Sequence, residues 1–363
     1  MPATQPFCSA NFLFDEKNVT VLAIEWIQAT SRADEGDSHM IRRRHVLSAF
    51  AGVLGLLAAG SELRAAEVSE VRLDWATYNP VSLVLKEKGF LEEALKPRGI
   101  KVRWVQSLGS NKALEFLNGS AIDFGSSAGA AALLARINGN PVKVVYAYSR
   151  PEWTALVTRK ETGIAKPADL KGKRIAVTRG TDPHIFLIRA LQSAGLTEKD
   201  AKLVLLQHAD GRTALDRGDV DAWAGLDPMM AAAEIESGAV LFHRDPSANT
   251  WGVLDVREDF AKAHPDLVRV VIAAYEQARA YAIANPDALK SALVSATKLP
   301  EAVIAKQIER TDLSQPVVGP AQAESIRAAG LALQQAGVIP ASTDVAAAVD
   351  GLIDPQFNPA PTR

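Results

Sequence analysis

Polar residues occupy four points of the sequence where a predicted strand ends and a predicted helix begins. These points are Asn79, Ser127, the pair Thr181-Asp182, and Asp227. The first amides of a helix lack partners and form the positive end of the helix dipole. Helix N-termini that meet at the carboxyl ends of strands can therefore bind an anion without a cationic side chain. The spacing predicts an anion-binding cleft.

Side chains near these junctions could complete the site. Hydroxyl groups and a neutral imidazole donate hydrogen bonds, and a sulfonate suits such donors because it offers three acceptor oxygens and carries one charge. Aromatic rings could form apolar walls for a carbon tail, with Trp153 and Trp251 as further candidates. The residues expected to contact the ligand are Thr77, Tyr78, Asn79, Ser126, Ser127, Thr181, Asp182, His184, Trp223 and Asp227.

Each of these residues also has a purely structural interpretation. Ser127 and Asp227 are typical N-caps, and Asp227 could otherwise contact an amino group of the ligand or a partner side chain. His184 lies in a first helical turn, where a positive charge is unfavourable, so we expect it to be a neutral donor or a structural residue. Trp223 lies on a strand and could belong to the core.

Strand and helix patterns alternate between these junctions. Residues 71–75 alternate apolar and polar side chains, and Asn79-Pro80 begins a helix that stops near Gly89. Similar units follow as far as Gly238, and the chain is mainly helical from Leu254 onward. This order predicts an α/β fold with mostly parallel sheets covered by helices on both faces.

A short repeat indicates two similar halves. Leu117–Phe124 and Leu215–Ala222 each contain a helix end, a glycine turn, a β-branched residue, an aspartate and the start of a strand. The simplest interpretation is two lobes that face each other. Turns of this kind are also common in any α/β protein, so the repeat alone does not decide the fold.

Composition excludes several classes of protein. The 363 residues carry a net charge of −2 and are 48% hydrophobic, which argues against disorder and against a nucleic-acid binder. The single cysteine, Cys8, allows neither an intrachain disulfide nor a cysteine-rich zinc site. Without a Ser-His-Asp arrangement, a His-Glu metal motif or a phosphate loop, we expect no metal, no cofactor and no enzymatic activity.

The first 66 residues have the pattern of a targeting segment. Arg42-Arg43-Arg44 precedes an apolar run from Val46 to Ala59, too short to span a bilayer, and Ala65-Ala66 offers a cleavage site. We predict a signal peptide at 40–66, either a general secretory or a twin-arginine signal, after an over-extended segment at 1–39 that precedes the true start at Met40. The protein is therefore expected in the periplasm.

Several motifs resemble one protein family. They are Gly119–Ser127, Asp169–Val177, Gly180–His184 with Leu187–Leu191, Asp219–Pro228 and Leu299–Ile304. From about residue 70 onward the chain resembles the periplasmic substrate-binding proteins of ABC importers for sulfonate, taurine and nitrate, and above all the aliphatic-sulfonate binders. It departs from the family at Ala128-Gly129-Ala130, where members often carry an acidic residue.

The resemblance implies a fold, a function and partners. The fold would be the two-lobed type II periplasmic-binding-protein fold, with lobe one at 67–156 plus 254–363, lobe two at 157–253, and a hinge near 154–156 and 252–254. The protein would be a monomer that binds an aliphatic sulfonate between the lobes and delivers it to membrane permease and ATPase subunits.

Other functions stay open at this point. The ligand could instead be taurine, nitrate, bicarbonate, another small anion or a pyrimidine. The segments also resemble, distantly, sulfinate desulfinases and thiamine-pyrimidine synthases of the same fold. Those enzymes depend on cysteines, and no cysteine follows the predicted signal peptide, so a thiolate mechanism is closed to the mature chain.

Overall fold

Two mixed β-sheets with flanking helices make up residues 68–359, which a computed structural model describes. The expected extension and signal peptide lie outside the described residues. The strands are β1 (Glu70–Trp75), β2 (Lys101–Gln106), β3 (Phe124–Ala128), β4 (Val142–Pro151), β5 (Leu156–Thr158), β6 (Arg174–Val177), β7 (Lys202–Leu205), β8 (Ala222–Ala224), β9 (Val240–His243), β10 (Gly252–Arg257) and β11 (Thr311–Asp312). The α-helices are α1 (Pro80–Lys88), α2 (Phe90–Leu95), α3 (Ser110–Asn118), α4 (Gly129–Ile137), α5 (Asp182–Ser193), α6 (His208–Arg217), α7 (Met229–Glu236), α8 (Glu258–Ala263), α9 (Pro265–Ala284), α10 (Pro286–Thr297), α11 (Glu301–Glu309), α12 (Pro320–Gln335) and α13 (Val345–Leu352).

The sheets define two lobes. Lobe one is the six-stranded sheet β11-β4-β10-β3-β1-β2 with α1–α4 and α8–α13. Lobe two is the five-stranded sheet β7-β6-β8-β5-β9 with α5–α7. Each sheet contains a strand that runs antiparallel to both of its neighbours: β10 lies antiparallel to β3 and β4, and β5 lies antiparallel to β8 and β9.

These two reversed strands follow the points where the chain crosses between lobes. A chain that arrives from the other lobe enters at the carboxyl edge of the parallel strands, so its first strand must run backwards. Because Leu156 pairs in lobe two and Gly252 pairs in lobe one, the crossings lie at 152–155 and 244–251. Both lie within a few residues of the expected hinge positions.

Local capping explains why α1 begins where the sequence predicted, whereas α4 begins later than expected. The Asn79 side-chain oxygen accepts a hydrogen bond from the Ser82 amide, 3.2 Å away, and Gly89 ends α1 in the left-handed conformation. The prediction that Ser127 caps the next helix is wrong. Ser127 belongs to β3, and α4 starts at Gly129, where a methyl group would lie 2.6 Å from a carbon of Ile326.

The repeated aspartate has a structural role in both lobes. Asp123 accepts hydrogen bonds from the Arg72 amide (2.9 Å) and from its guanidinium (2.6 Å). Asp221 accepts the same pair from Arg174, at 2.8 and 3.0 Å. Each aspartate thus joins neighbouring parallel strands at their amino ends, far from the carboxyl edge where a ligand would bind.

The largest apolar cluster fills lobe one and extends to Ile185, Ile188 and Leu226 of lobe two, so the lobes touch beside α5. Lobe two has its own smaller clusters on the two faces of its sheet. Among residues 68–359, no helix is both long enough and apolar enough to cross a membrane.

Candidate functional site

Asp182 ties the two crossings to the N-terminus of α5. Its carboxylate accepts hydrogen bonds from Trp153 Nε1 (2.9 Å) and from the amide and hydroxyl of Thr250 (2.9 and 2.7 Å). Burial raises the pKa of Asp182, and these bonds only partly offset the effect. The carboxylate is therefore committed to the crossings in this structure, rather than directed at an anion.

The second crossing also occupies the N-terminus of α4. The Gly129 amide donates to the Trp251 carbonyl (2.9 Å), and the Ala130 amide donates to Thr250 Oγ1 (3.2 Å). The sequence indicated this helix end as an anion site. The residues of the crossing take its first two amides instead.

Thr181 and His184, two expected donors, have partners within lobe two. The Thr181 hydroxyl donates to the Thr178 carbonyl (2.6 Å). His184 Nε2 lies 2.9 Å from Glu198 Oε1, and this hydrogen bond is the main cause that lowers the pKa of Glu198. His184 is thus a donor, as the sequence suggested, but its recorded acceptor is Glu198.

A buried carboxylate that the sequence analysis missed holds the serine cluster in lobe one. Asp74 accepts hydrogen bonds from the Ser107 hydroxyl and from the amide and hydroxyl of Ser126 (2.9 and 2.8 Å). Asn79 Nδ2 donates to the Ser126 hydroxyl, 2.8 Å away. Burial raises the pKa of Asp74 to about 6 in spite of these bonds. The Ser126 hydrogen is therefore committed to Asp74.

A second carboxylate, Asp255, lies close to Ser127 and Asp74 in the same sheet. Its side chain is 0% exposed, and neither oxygen has a hydrogen-bond partner within residues 68–359. Burial raises the pKa of Asp255 well above its usual range; the nearby Ser127 hydroxyl opposes the shift and the neighbouring Asp74 adds to it. The Ser127 hydroxyl bonds to the Ala128 carbonyl at 3.2 Å, so no anion-directed donor is evident there.

Replacing Asp255 with asparagine should change how stability depends on pH. The pKa of this carboxyl is higher in the folded than in the unfolded protein, so the free energy of unfolding falls as the pH rises above the unfolded value of about 4. Asp255→Asn removes this dependence of stability on pH. The free energy of unfolding of the variant should therefore rise relative to that of the wild type by up to about 1.4 kcal/mol for each pH unit between about pH 5 and 7. Urea unfolding at several pH values measures the gain, and parallel stability curves would contradict it.

Three aromatic rings form an apolar floor at the first crossing. The Trp153 ring lies 6.1 Å from Tyr78 and 6.5 Å from Tyr148, measured between ring centres. The Tyr78 hydroxyl donates to the Ser126 carbonyl (2.9 Å), so its polar end is satisfied. Of the expected aromatic candidates, Tyr78 and Trp153 therefore lie together where the lobes join.

Trp223 lies elsewhere, and its expected position as a pocket wall is wrong. The side chain is 0% exposed and packs with Val157, Leu215 and Met230 inside lobe two. A methyl group on Gly211 of α6 would lie 2.7 Å from the indole nitrogen. The structural alternative, a core tryptophan between the sheet and its helices, is what the structure shows.

Asp227 forms an ion pair between the lobes. It accepts from the Ala231 amide (2.8 Å), as an N-terminal cap would, and both oxygens lie 3.5 Å from Arg310 Nη1. Arg310 Nη2 donates to Glu234 at 2.5 Å. Burial raises the pKa of Asp227 to about 7, although Arg310 partly opposes the shift. Arg310 is a second residue that the sequence analysis missed.

Thr77 lies beside this ion pair at the end of β1. Its carbonyl accepts a hydrogen bond from Gln307 Nε2 at 2.7 Å, and the side chain is half-buried. Apart from Trp223, the expected ligand residues thus fall into three groups: a serine–carboxylate cluster, the α5 terminus with the crossings, and the Asp227 pair. The structure does not bring all ten together.

The lobes also meet where the N-terminus of α3 faces that of α6. A methyl group in place of the Gly109 hydrogen would lie 2.8 Å from Asn111 Oδ1 and 3.0 Å from His208 Nε2. His208 is 5% exposed, and burial lowers its pKa to about 3. Neither Asn111 Oδ1 nor His208 Nε2 has a partner in the described part of the chain.

This facing pair of helix ends is the best candidate for an anion site. The first two amides of α3, Ser110 and Asn111, have no carbonyl within their own helix to bond, and the same holds for those of α6. Residues 107–111 and 206–208 each follow an edge strand, the same type of junction that indicated the other four. Searching the sequence for every predicted strand that is followed directly by a helix would have identified these two junctions as well.

This arrangement, two mixed sheets joined by two crossings, corresponds to a known family. The family model described as NMT1/THI5 like matches residues 80–289, more than half of the chain. The chain belongs to this NMT1/THI5-like family. The expected resemblance and the periplasmic-binding-protein fold are confirmed.

Several members with informative names are similar to the chain. A protein of Escherichia coli strain K12 named for binding aliphatic sulfonates is 29% identical over 259 residues, covering 70% of this chain and 81% of that protein. The taurine-binding periplasmic protein of the same strain is 38% identical over 138 residues, 37% of this chain and 42% of that protein. The solved alkanesulfonate-binding protein of Xanthomonas axonopodis pv. citri, bound to MOPS, is 26% identical, with a TM-score of 0.71 over 78% of this chain and 98% of that one.

Proposed function

We propose that this protein is the periplasmic solute-binding component of an ABC importer and binds an aliphatic sulfonate between its lobes. The observation that carries the proposal is the close approach of the N-terminal ends of α3 and α6 across the two lobes, where the His208 side chain lies against Gly109. The sulfonate binders among the relatives support the same ligand class.

The chemistry of binding follows from this geometry. Sulfonate oxygens would accept hydrogen bonds from the amides at the two helix ends, where the helix dipoles favour negative charge. The carbon tail would lie toward Tyr78 and Trp153, which form the apolar floor. Of the ten residues expected at the site, we retain as neighbours of the ligand Tyr78, which belongs to the apolar floor, and Thr181, which follows Gly180 beside Asn111.

Delivery would depend on motion of the lobes. Bending at the two crossings, 152–155 and 244–251, would open and close the cleft, and the closed monomer would dock on the permease and ATPase subunits. Binding would need no metal or cofactor and would involve no turnover. Incubation of an alkanesulfonate with the protein should release no sulfite.

His208 should add no pH dependence to sulfonate affinity between about pH 5.5 and 8, because a sulfonate stays ionised and a histidine with a pKa of about 3 stays neutral over that range. Calorimetric titration of the wild type and of His208→Gln with ethanesulfonate, which unlike MOPS has no amine that titrates in this range, tests this expectation at several pH values. A loss of affinity as the pH rises through about 6.5 that is present in the wild type and absent in His208→Gln would show that a histidinium binds the anion instead.

A ligand screen separates the proposal from its alternatives. Thermal shift with straight-chain alkanesulfonates, taurine and nitrate, and with carboxylates of matched length as controls, should show stabilisation by the alkanesulfonates above all. Preference for taurine would narrow the class to aminosulfonates. Stabilisation by nitrate or carboxylates alone would overturn the sulfonate assignment.

A further inference from the structure

The contact between the lobes at Gly109 leaves two polar atoms near the same point without partners in the described part of the chain. Asn111 Oδ1 belongs to lobe one and His208 Nε2 to lobe two, and both lie within 3.0 Å of the point where a Gly109 methyl group would be. Burying a polar atom without a hydrogen-bond partner destabilises a folded protein. Two such atoms at one point call for a shared explanation.

The hydrogen bonds of His208 decide which ring nitrogen carries the proton. The Thr178 hydroxyl donates its only hydrogen to the Leu206 carbonyl, 2.7 Å away. His208 Nδ1 lies 3.2 Å from that hydroxyl oxygen, so Nδ1 must be the donor in this contact. In the neutral imidazole, Nε2 is then an acceptor and needs a donor from across the cleft.

We infer that the Asn111 amide donates to His208 Nε2 and that this contact is a latch between the lobes. Half a turn of the Asn111 carboxamide places the Nδ2 donor nearly where Oδ1 was, which offers His208 Nε2 a donor and moves Oδ1 away from that acceptor. Gly109 leaves room for the contact, and its φ of 163° is extended backbone that any residue adopts. The glycine is therefore required for space and not for conformation.

The latch would control affinity through the population of the closed state. The N-terminal ends of α3 and α6 lie close together when Gly109 and His208 are in contact, so a ligand that binds both helix ends would favour the closed state. This consequence rests on the proposed function. The latch itself concerns the lobes alone and can be tested without a sulfonate.

The imidazole nitrogen NMR shifts of His208, assigned with a His208→Gln variant, test the latch directly. In at least one of two states, the free protein or the MOPS-saturated protein, we expect a neutral imidazole with its hydrogen on Nδ1 and a hydrogen bond to Nε2. In the same state, Asn111→Ala should shift the NMR signal of Nε2. The latch would be overturned if Nε2 carries the hydrogen, or if Asn111→Ala leaves the Nε2 signal unchanged both without MOPS and at saturating MOPS. This holds whether or not MOPS binds.

A wedge substitution tests the effect on binding. The methyl group of Gly109→Ala would intrude between Asn111 and His208, and it should weaken MOPS binding at least tenfold without lowering the melting temperature. Gly319→Ala is the matched control, since Gly319 also precedes a helix with extended backbone (φ 179°) and has no atom within 4 Å of an added methyl group. Equal affinity in the two variants would contradict the latch.

A double-mutant cycle shows whether the two side chains act together. Asn111→Ala and His208→Ala should each weaken MOPS binding about three- to tenfold, the range of one hydrogen bond, and the double variant no more than the weaker-binding single variant. Effects that multiply would show that the side chains act separately. If the wild type does not bind MOPS at all, the proposed ligand class fails and the NMR result still decides the latch.

Discussion

Replacing Arg310 with alanine should lower the free energy of unfolding by about 3–5 kcal/mol, among the largest effects expected in this protein. The guanidinium is the cation beside Asp227, which is 3% exposed, and it also donates to Glu234. Without it, a buried carboxylate keeps its desolvation penalty and loses its counter-charge. Chemical unfolding of the variant and the wild type measures the loss.

The loss should also depend on pH. The pKa of Asp227 is about 7 in the folded protein, above its usual value, so the carboxyl is increasingly protonated and needs its cation less as the pH falls below 7. Arg310→Ala should therefore cost more at about pH 8 than at about pH 5.

An exposed pair provides the control. Arg327 lies 3.5 Å from Asp350 at the surface, and Arg327→Ala should cost no more than about 1 kcal/mol. Equal losses in the two variants would show that the Arg310 pair is no more important than a surface contact. A loss for Arg310→Ala that is independent of pH would assign it to packing alone.

The second large effect is expected at Trp223. Trp223→Ala should lower the free energy of unfolding by about 3–5 kcal/mol, because the indole is wholly buried within lobe two. The folded fraction should keep the wild-type dependence of affinity on alkanesulfonate chain length. Trp104, half-buried on the edge strand β2, is the control, and its replacement by alanine should cost less.

Replacement of Trp153, unlike replacement of Trp223, should change how affinity depends on alkanesulfonate chain length. Trp153→Ala removes part of the apolar floor and should reduce the affinity gained per methylene, which is at most about 0.8 kcal/mol for a buried group. Calorimetric measurement of affinity as a function of alkanesulfonate chain length, on the wild type, Trp223→Ala and Trp153→Ala, distinguishes the two roles. If Trp223→Ala changes the dependence of affinity on chain length, Trp223 contacts the ligand tail and is not only a core residue.

The sequence was sufficient for the architecture because the fold depends on local signals. The strand and helix patterns, the Asn79 cap and the glycine turns at Gly119 and Gly218 that precede the repeated aspartates all act within a few residues, and the structure contains each of them. The reversed strands could not be predicted, since their direction depends on which lobe the chain has just left.

The site was harder to predict because most candidate donors serve other parts of the chain. Ser126 bonds to Asp74, 52 positions away, and Asp227 pairs with Arg310, 83 positions away. No local pattern marks such partners. His208 was missed for another reason, since its junction lacks the Pro or Ser that marked the others.

A crystal structure of the protein with an alkanesulfonate tests the central claim most directly. The account predicts sulfonate oxygens about 3 Å from the amides of Ser110 and Asn111 and from the first amides of α6, with the tail toward Trp153. A sulfonate bound to only one lobe, or held at a side chain away from these two helix ends, would contradict it.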